Sequence, residues 1–222
     1  MKSTSESQVI IVSGQQHQRA TAVQVDSTEC HKGDSATLEL TLRNASRGST
    51  RYTASFSACY CERTNSVSLT SRLIYSQGGF FMDLPNKGQH IGTYVLSRIV
   101  KWVKQWPNAT VAPIHLVAYN DTDNMRRRNR LWERAGLVFD YEQAEKHSGT
   151  SRAMIAEKLV EVDTWRQNIR ESSPLEAVAE LLEGKEQLSW DLARTKQELG
   201  ATRRELNKTV GNPILRMLHR VF

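Results

Sequence analysis

The sequence predicts a mixed α/β chain: a largely antiparallel sheet with flanking helices, followed by a helical C-terminal extension. Three observations predict it. Apolar and polar residues alternate with period two in the segments before residue 78. Residues 78–141 then read as strand, glycine-bearing turn, amphipathic helix, strand, helix, strand. From Val178 onward a heptad of apolar positions runs to Thr209.

In the first region, Ala36 to Arg43 alternates strictly, Arg51 to Tyr60 is rich in β-forming residues, and Val67 to Tyr75 alternates again. Turn-forming residues at 44–49 and 62–66 separate them. This is the pattern of an antiparallel meander. Residues 15–32 are expected to hold one short helix or a loop. Cys59 and Cys61 fall on one strand face and Cys30-His31 adds two possible ligands, but the spacing lacks the two-residue knuckle of zinc sites. Small buried hydrophobes explain these thiols, and no metal is expected.

The central unit carries the chemistry. Gly79 to Leu84 is a short apolar run, and Lys87-Gly88-Gln89-His90-Ile91-Gly92 turns directly into a helix that begins at Thr93 and runs to Val103. Such a turn aims unpaired backbone N–H groups and the positive helix end at one spot, which suits a phosphate or pyrophosphate. Lys87 to Thr93 resembles the acetyl-CoA loop of the GNAT acyltransferases, whose pattern is Arg/Gln-x-x-Gly-x-Gly/Ala. Lys87 stands for the Arg or Gln, His90 replaces the first glycine, and Gly92 keeps the last small position. Ile114 to Tyr119 resembles the family's fifth strand. Asn124 to Leu137 resembles its next helix, ending Leu131-Trp132-Glu133-Arg134-Ala135-Gly136-Leu137 where the family has Tyr-x-x-x-Gly-Phe.

The resemblance, over about residues 78–141, implies a GNAT-like fold and a CoA-dependent N-acyltransferase using acetyl-CoA or another acyl-CoA. It implies that Met82 and Leu84 line the pantetheine arm, that Lys87, Gly88, Gln89, His90, Ile91, Gly92 and Thr93 hold the pyrophosphate, and that Asn124 borders the cofactor. The chain departs from the family where Trp132 replaces the tyrosine that reprotonates the thiolate, because indole donates no usable proton near neutrality. Tyr119 or Tyr141 is then the candidate acid, and Asp83, Glu133 or His115 the candidate base. The family's usual pair of acceptor-pocket helices is absent, so the acceptor is an unidentified amine: a small molecule, a protein or a nucleic-acid base. The alternatives are a binding or assembly protein that keeps the fold without the catalysis, and a nucleic-acid-binding protein.

Composition limits the rest. The 222 residues, 39% of them hydrophobic, suffice for one core and an appendage. No stretch approaches the roughly 20 apolar residues of a membrane span, and the polar start Met1 to Glu6 has no signal-peptide core, so a cytoplasmic protein is expected. A formal charge of +6 favours polyanionic partners, nucleic acid or an acidic macromolecule among them. Arg126-Arg127-Arg128-Asn129-Arg130 concentrates four of the cations at one helix start, either as a solvated face or as a phosphate contact.

The expected organisation is an acyltransferase-like domain over 1–148, a packing helix over 149–171, a coiled-coil extension over 172–210 and a basic amphipathic tail over 211–222. Met154, Ile155, Leu159, Val162 and Trp165 supply the apolar side of the packing helix. Ser172-Ser173-Pro174 restarts a helix. Its seam is Val178, Leu181, Lys185, Leu188, Leu192, Thr195, Leu199, Thr202, Leu206 and Thr209, predicting a homo-oligomer through residues 175–209.

Overall fold

A computed structural model describes residues 2–13, 21–44, 53–70, 89–118 and 121–211. The expected strand at 79–84, the turn residues Lys87 and Gly88, Tyr119 and the basic tail beyond Gly211 lie outside the described residues. The chain divides into two compact units, Met1–Ser173 and Pro174–Phe222. The first is mixed α/β with a largely antiparallel sheet; the second carries one long helix, α3 (Pro174–Gly211).

Five strands open the first unit: β1 (Lys2–Val12), β2 (Thr21–Lys32), β3 (Ser35–Asn44), β4 (Thr53–Cys61) and β5 (Ser66–Ser68). Helix α1 (Ile91–Val103), short strands β6 (Thr110–Val111) and β7 (His115–Leu116), and helix α2 (Thr122–Arg134) follow. The unit ends with β8 (Phe139–Tyr141), β9 (Gly149–Ser151), β10 (Met154–Ile155), two single 3-10 turns and β11 (Ile169–Ser172). One sheet has the order β10-β6-β5-β4-β3-β2-β1-β11, antiparallel throughout except for the parallel β5–β6 pair. Parallel neighbours need a long crossover, and α1 lies within it. A second sheet has the order β7-β9-β8, with β9 between the strands that flank α2.

Alternation decides which face of the meander is buried. Val23 and Val25 of β2, Leu38, Leu40 and Leu42 of β3, and Phe56 and Ala58 of β4 are buried on successive same-face positions. Ile91, Tyr94, Val95, Leu96, Ile99, Val100 and Val103 of α1 join them in one core. Tyr60 stacks on Trp106 at 4.3 Å, and Trp106 meets Trp102 edge-on at 4.9 Å, closing the core beyond the C-terminal end of α1. Tyr94 meets Trp165 edge-on at 5.1 Å, and its buried hydroxyl donates to Glu171 at 3.1 Å while accepting from Gln8, tying α1 to β1 and β11. Burial raises the Tyr94 phenol well above its usual range, so it stays a donor.

Two expectations are corrected. The chain from Thr21 to Lys32 is a strand, not a helix or loop, because it pairs along its whole length with β1 and β3. Residues 149–171 form no packing helix. Val111 pairs with Met154, and the amides of Ala156, Glu157 and Val160 donate to the carbonyls of Ala109, Pro107 and Ala135. These partners on other segments replace the i−4 carbonyls that a helix would need. The residues between are extended or make 3-10 turns, and the segment belongs with the first unit.

Helix α2 starts where Asp121 accepts from the Asn124 amide at 3.0 Å, and Asp123 adds an acid to the first turn. Asp121→Ala should therefore lower stability by about 1 kcal/mol in urea unfolding; a neutral result would mean that water caps the helix as well.

Candidate functional site

His90 precedes α1 with φ 61° and ψ 12°, a left-handed conformation that glycine adopts most easily. This is the position at which the sequence pattern carries His in place of glycine. The backbone thus follows a glycine-like path without glycine. Among the described residues no side chain caps α1, and its first turn contains no acid. The amides of Ile91, Gly92 and Thr93 have no acceptor within the helix, and the dipole adds positive potential there. On the N-terminal side, Asn168 Nδ2 donates to the Gln89 carbonyl at 3.0 Å and fixes the approach of the chain.

Side-chain placement separates the loop residues. Gln89, Ile91 and Thr93 are buried, whereas His90 and Gly92 are half-buried. Ile91 is part of the core, so only its backbone can meet a ligand. Burial and, after it, the Arg134 cation lower the His90 pKa, keeping the imidazole neutral near pH 7. Arg134 closes α2, so the end of that helix contributes positive charge felt at the start of α1.

The structure brings together two of the five catalytic candidates. The Tyr141 hydroxyl donates to Glu133 Oε1 at 2.8 Å, and Lys146 Nζ lies 3.2 Å from the same oxygen and 4.9 Å from the Tyr141 ring centre. Partial burial and then the Glu133 carboxylate raise the Tyr141 pKa, so its phenol keeps its proton. Asp83 and Tyr119, with Met82 and Leu84, lie outside the described residues. His115 is exposed on strand β7, its Nδ1 3.1 Å from Thr150 Oγ1, and Asn124 gives its amide to the cap of α2.

Trp132 is fully buried, packed in the core with Ala135, Leu137 and Phe139. The position at which the resemblance leads one to expect a proton-donating side chain therefore faces the interior. Of the four clustered arginines, Arg128 is a strut: it donates to the carbonyls of Val117 at 2.6 Å and His147 at 3.2 Å, and to Asn129 Oδ1 at 3.1 Å. Arg126, Arg127 and Arg130 are exposed, Arg126 within 3.9 Å of Asp123.

Sequence reading misses three residues of this region. Arg134 is a lone cation in the last turn of α2, whose only signal is its charge; Lys146 and Asn168 act across long chain separations that leave no local trace. Cys59 and Cys61 lie on β4 and Cys30 on β2, with β3 between them. No helix among the described residues is long and apolar enough to cross a membrane. No protein-family model, curated protein or solved structure matches the chain.

Proposed function

We propose that the first unit is a GNAT-like, CoA-dependent N-acyltransferase acting on an amine acceptor. The observation that carries this reading is the start of α1: a left-handed His90 at the glycine position of the cofactor loop, followed by an uncapped, acid-free helix end. The donor set fits a diphosphate. Backbone amides of Ile91, Gly92 and Thr93 supply hydrogen bonds, neutral His90 adds a ring nitrogen, and Arg134 adds charge.

An acyl-CoA, when bound, supplies the thioester carbon that the amine attacks. Glu133 takes the amine proton, directly or through water, as the new C–N bond forms. Tyr141, hydrogen-bonded to Glu133, would hold the proton that a departing thiolate takes up, and the Glu133 carboxyl, having taken the amine proton, would return one to Tyr141. This relay compensates for the raised phenol pKa, since the proton leaving the pair comes in effect from a carboxylic acid. Lys146 holds the Glu133 carboxylate in place.

A second reading, a non-catalytic CoA or anion binder, is favoured by the burial of Trp132 where the family has its proton donor. Titration calorimetry with acetyl-CoA and CoA tests the shared premise. Saturable binding is expected, weakened at least tenfold, about 1.4 kcal/mol, in Gly92→Glu, whose carboxylate would meet the ligand's phosphates at the helix end. Equal affinity in the two proteins would sink the loop assignment. Binding without acyl transfer to any amine offered would select the second reading.

A further inference from the structure

Helix α3 displays an exposed apolar row: Val178, Leu181, Leu188, Leu192, Leu199 and Leu206 are between 51% and 70% exposed. With Lys185, Thr195 and Thr202 filling the gaps between them, these positions follow one another at alternating spacings of three and four residues and make one seam. We propose that this seam is covered by a second copy of the same helix in a parallel, two-stranded coiled coil. This does not depend on whether the first unit binds acyl-CoA.

Charge fixes the direction. With Val178, Lys185, Leu192, Leu199 and Leu206 at the first seam position, the residues just before it are Asp191, Glu198 and Glu205. The residues just after the second seam position include Lys196 and Arg203. One flank of the seam is therefore acidic and the other basic. In a parallel pair, Asp191 faces Lys196 of the second copy and Glu198 faces Arg203, each on both sides of the two-fold axis. In an antiparallel pair acid would face acid and base would face base, and like charges at these positions repel. Glu198 also lies 3.2 Å from Arg194 of its own helix, one turn back, and its carboxylate has lone pairs for both cations.

Polar seam residues fix the number of strands. Lys185 occupies a first seam position, and a lysine there selects register and oligomer size at some cost in stability. In a two-stranded coil its stem lies along the seam while its ammonium reaches water; a larger bundle would bury it. Thr195 and Thr202 weaken the later half, and Gly184 and Gly200 reduce helix propensity, so the pair should dissociate measurably on dilution. Trp190, 74% exposed, lies on the outer side of the helix, and the seam leaves it uncovered.

The test is the mass of the full chain by sedimentation equilibrium. The wild type should approach twice 25.2 kDa at high concentration and dissociate on dilution. Lys196→Glu with Arg203→Glu places acid on both flanks, and Asp191→Lys with Glu198→Lys places base on both; each double variant alone should be monomeric, and an equimolar mixture should recover the dimer. Direction is read from Thr202→Cys, which under mild oxidation should give a disulfide-linked dimer that wild type, with its native cysteines, does not form. Wild type at 25.2 kDa at every concentration, or a dimer whose mass survives both charge reversals, overturns the proposal. So does a dimer in which the Thr202→Cys variant stays unlinked, which would indicate another arrangement.

Discussion

Trp132→Ala should destabilise the first unit by about 3–5 kcal/mol, the cost of deleting a large, fully buried aromatic side chain and leaving most of its cavity. Against a typical domain stability of about 5–15 kcal/mol this is a large fraction. Equilibrium urea unfolding of the full chain measures it, and a loss below about 1 kcal/mol would show that the surrounding core closes over the gap. The same site makes a functional comparison possible. If resemblance alone governed, Trp132→Tyr would restore the family's proton donor and raise turnover. The structure places that side chain, fully buried, in the hydrophobic core. A phenol there would have to find a buried partner, so the variant should lose stability and gain no activity.

Gly149→Ala should also be damaging, although it adds a single methyl. Gly149 sits in the middle strand of the small sheet, opposite Leu116 on one side and Tyr141 on the other. A Cβ built on it would lie 2.7 Å from the Asp140 carbonyl oxygen and 3.1 Å from both Cα and Cδ1 of Tyr141. Backbone must move, not a flexible side-chain tip, and overpacking of this kind costs about 1–3 kcal/mol. The strand that shifts carries Tyr141, so the hydrogen bond to Glu133 should loosen with it. Urea unfolding gives the cost, and faster amide exchange in β8 and β9 would place the damage there. Wild-type stability would show that the sheet has room at Gly149 after all.

These two sites also show what the sequence reveals and what it hides. The strand at Ala36–Arg43 is legible from its alternation and appears as β3; the one expected at Arg51–Tyr60 is legible from its β-forming residues, and its described part, from Thr53, is β4. The helices are legible from their apolar spacing: α1 starts at Ile91 where Thr93 is expected, and α2 spans Thr122–Arg134 where 124–137 is expected. Strand β1 is invisible from pattern, because Lys2 to Ser7 is exposed and polar on both faces; only the stretch from Val9 carries a buried side. Segment 151–170 misleads for the opposite reason. Ala156, Leu159, Val162, Trp165 and Ile169 are buried at intervals that mimic a helix, while the backbone hydrogen bonds go to other segments or close short 3-10 turns. Periodicity there identifies the core side chains and misassigns the conformation. In the candidate site, the start of α1 and the acidic and phenolic partners Glu133 and Tyr141 are readable as residue types. The contacts of Lys146 and Asn168 exist only once distant segments have met.

The pairing of β1 with β11 has a kinetic consequence. Val9 to Val12 are made before every other buried strand of the sheet, and their outer neighbours, Ile169 to Ser172, are made after all of them. On a ribosome, the meander can hydrogen-bond strand to strand as it emerges. The outer edge of β1 must wait for nearly the whole unit before β11 covers it. Such long-range closure is slow because loop entropy is lost before the contact is gained. The exposed stretch from Lys2 to Ser7, with Lys2 and Glu6 among serines and threonine, is a sequence that does not readily pair with strands of other chains during that wait. Chains truncated within β11 should accumulate as aggregation-prone intermediates, whereas chains ending just after Ser173 contain every described strand of the sheet.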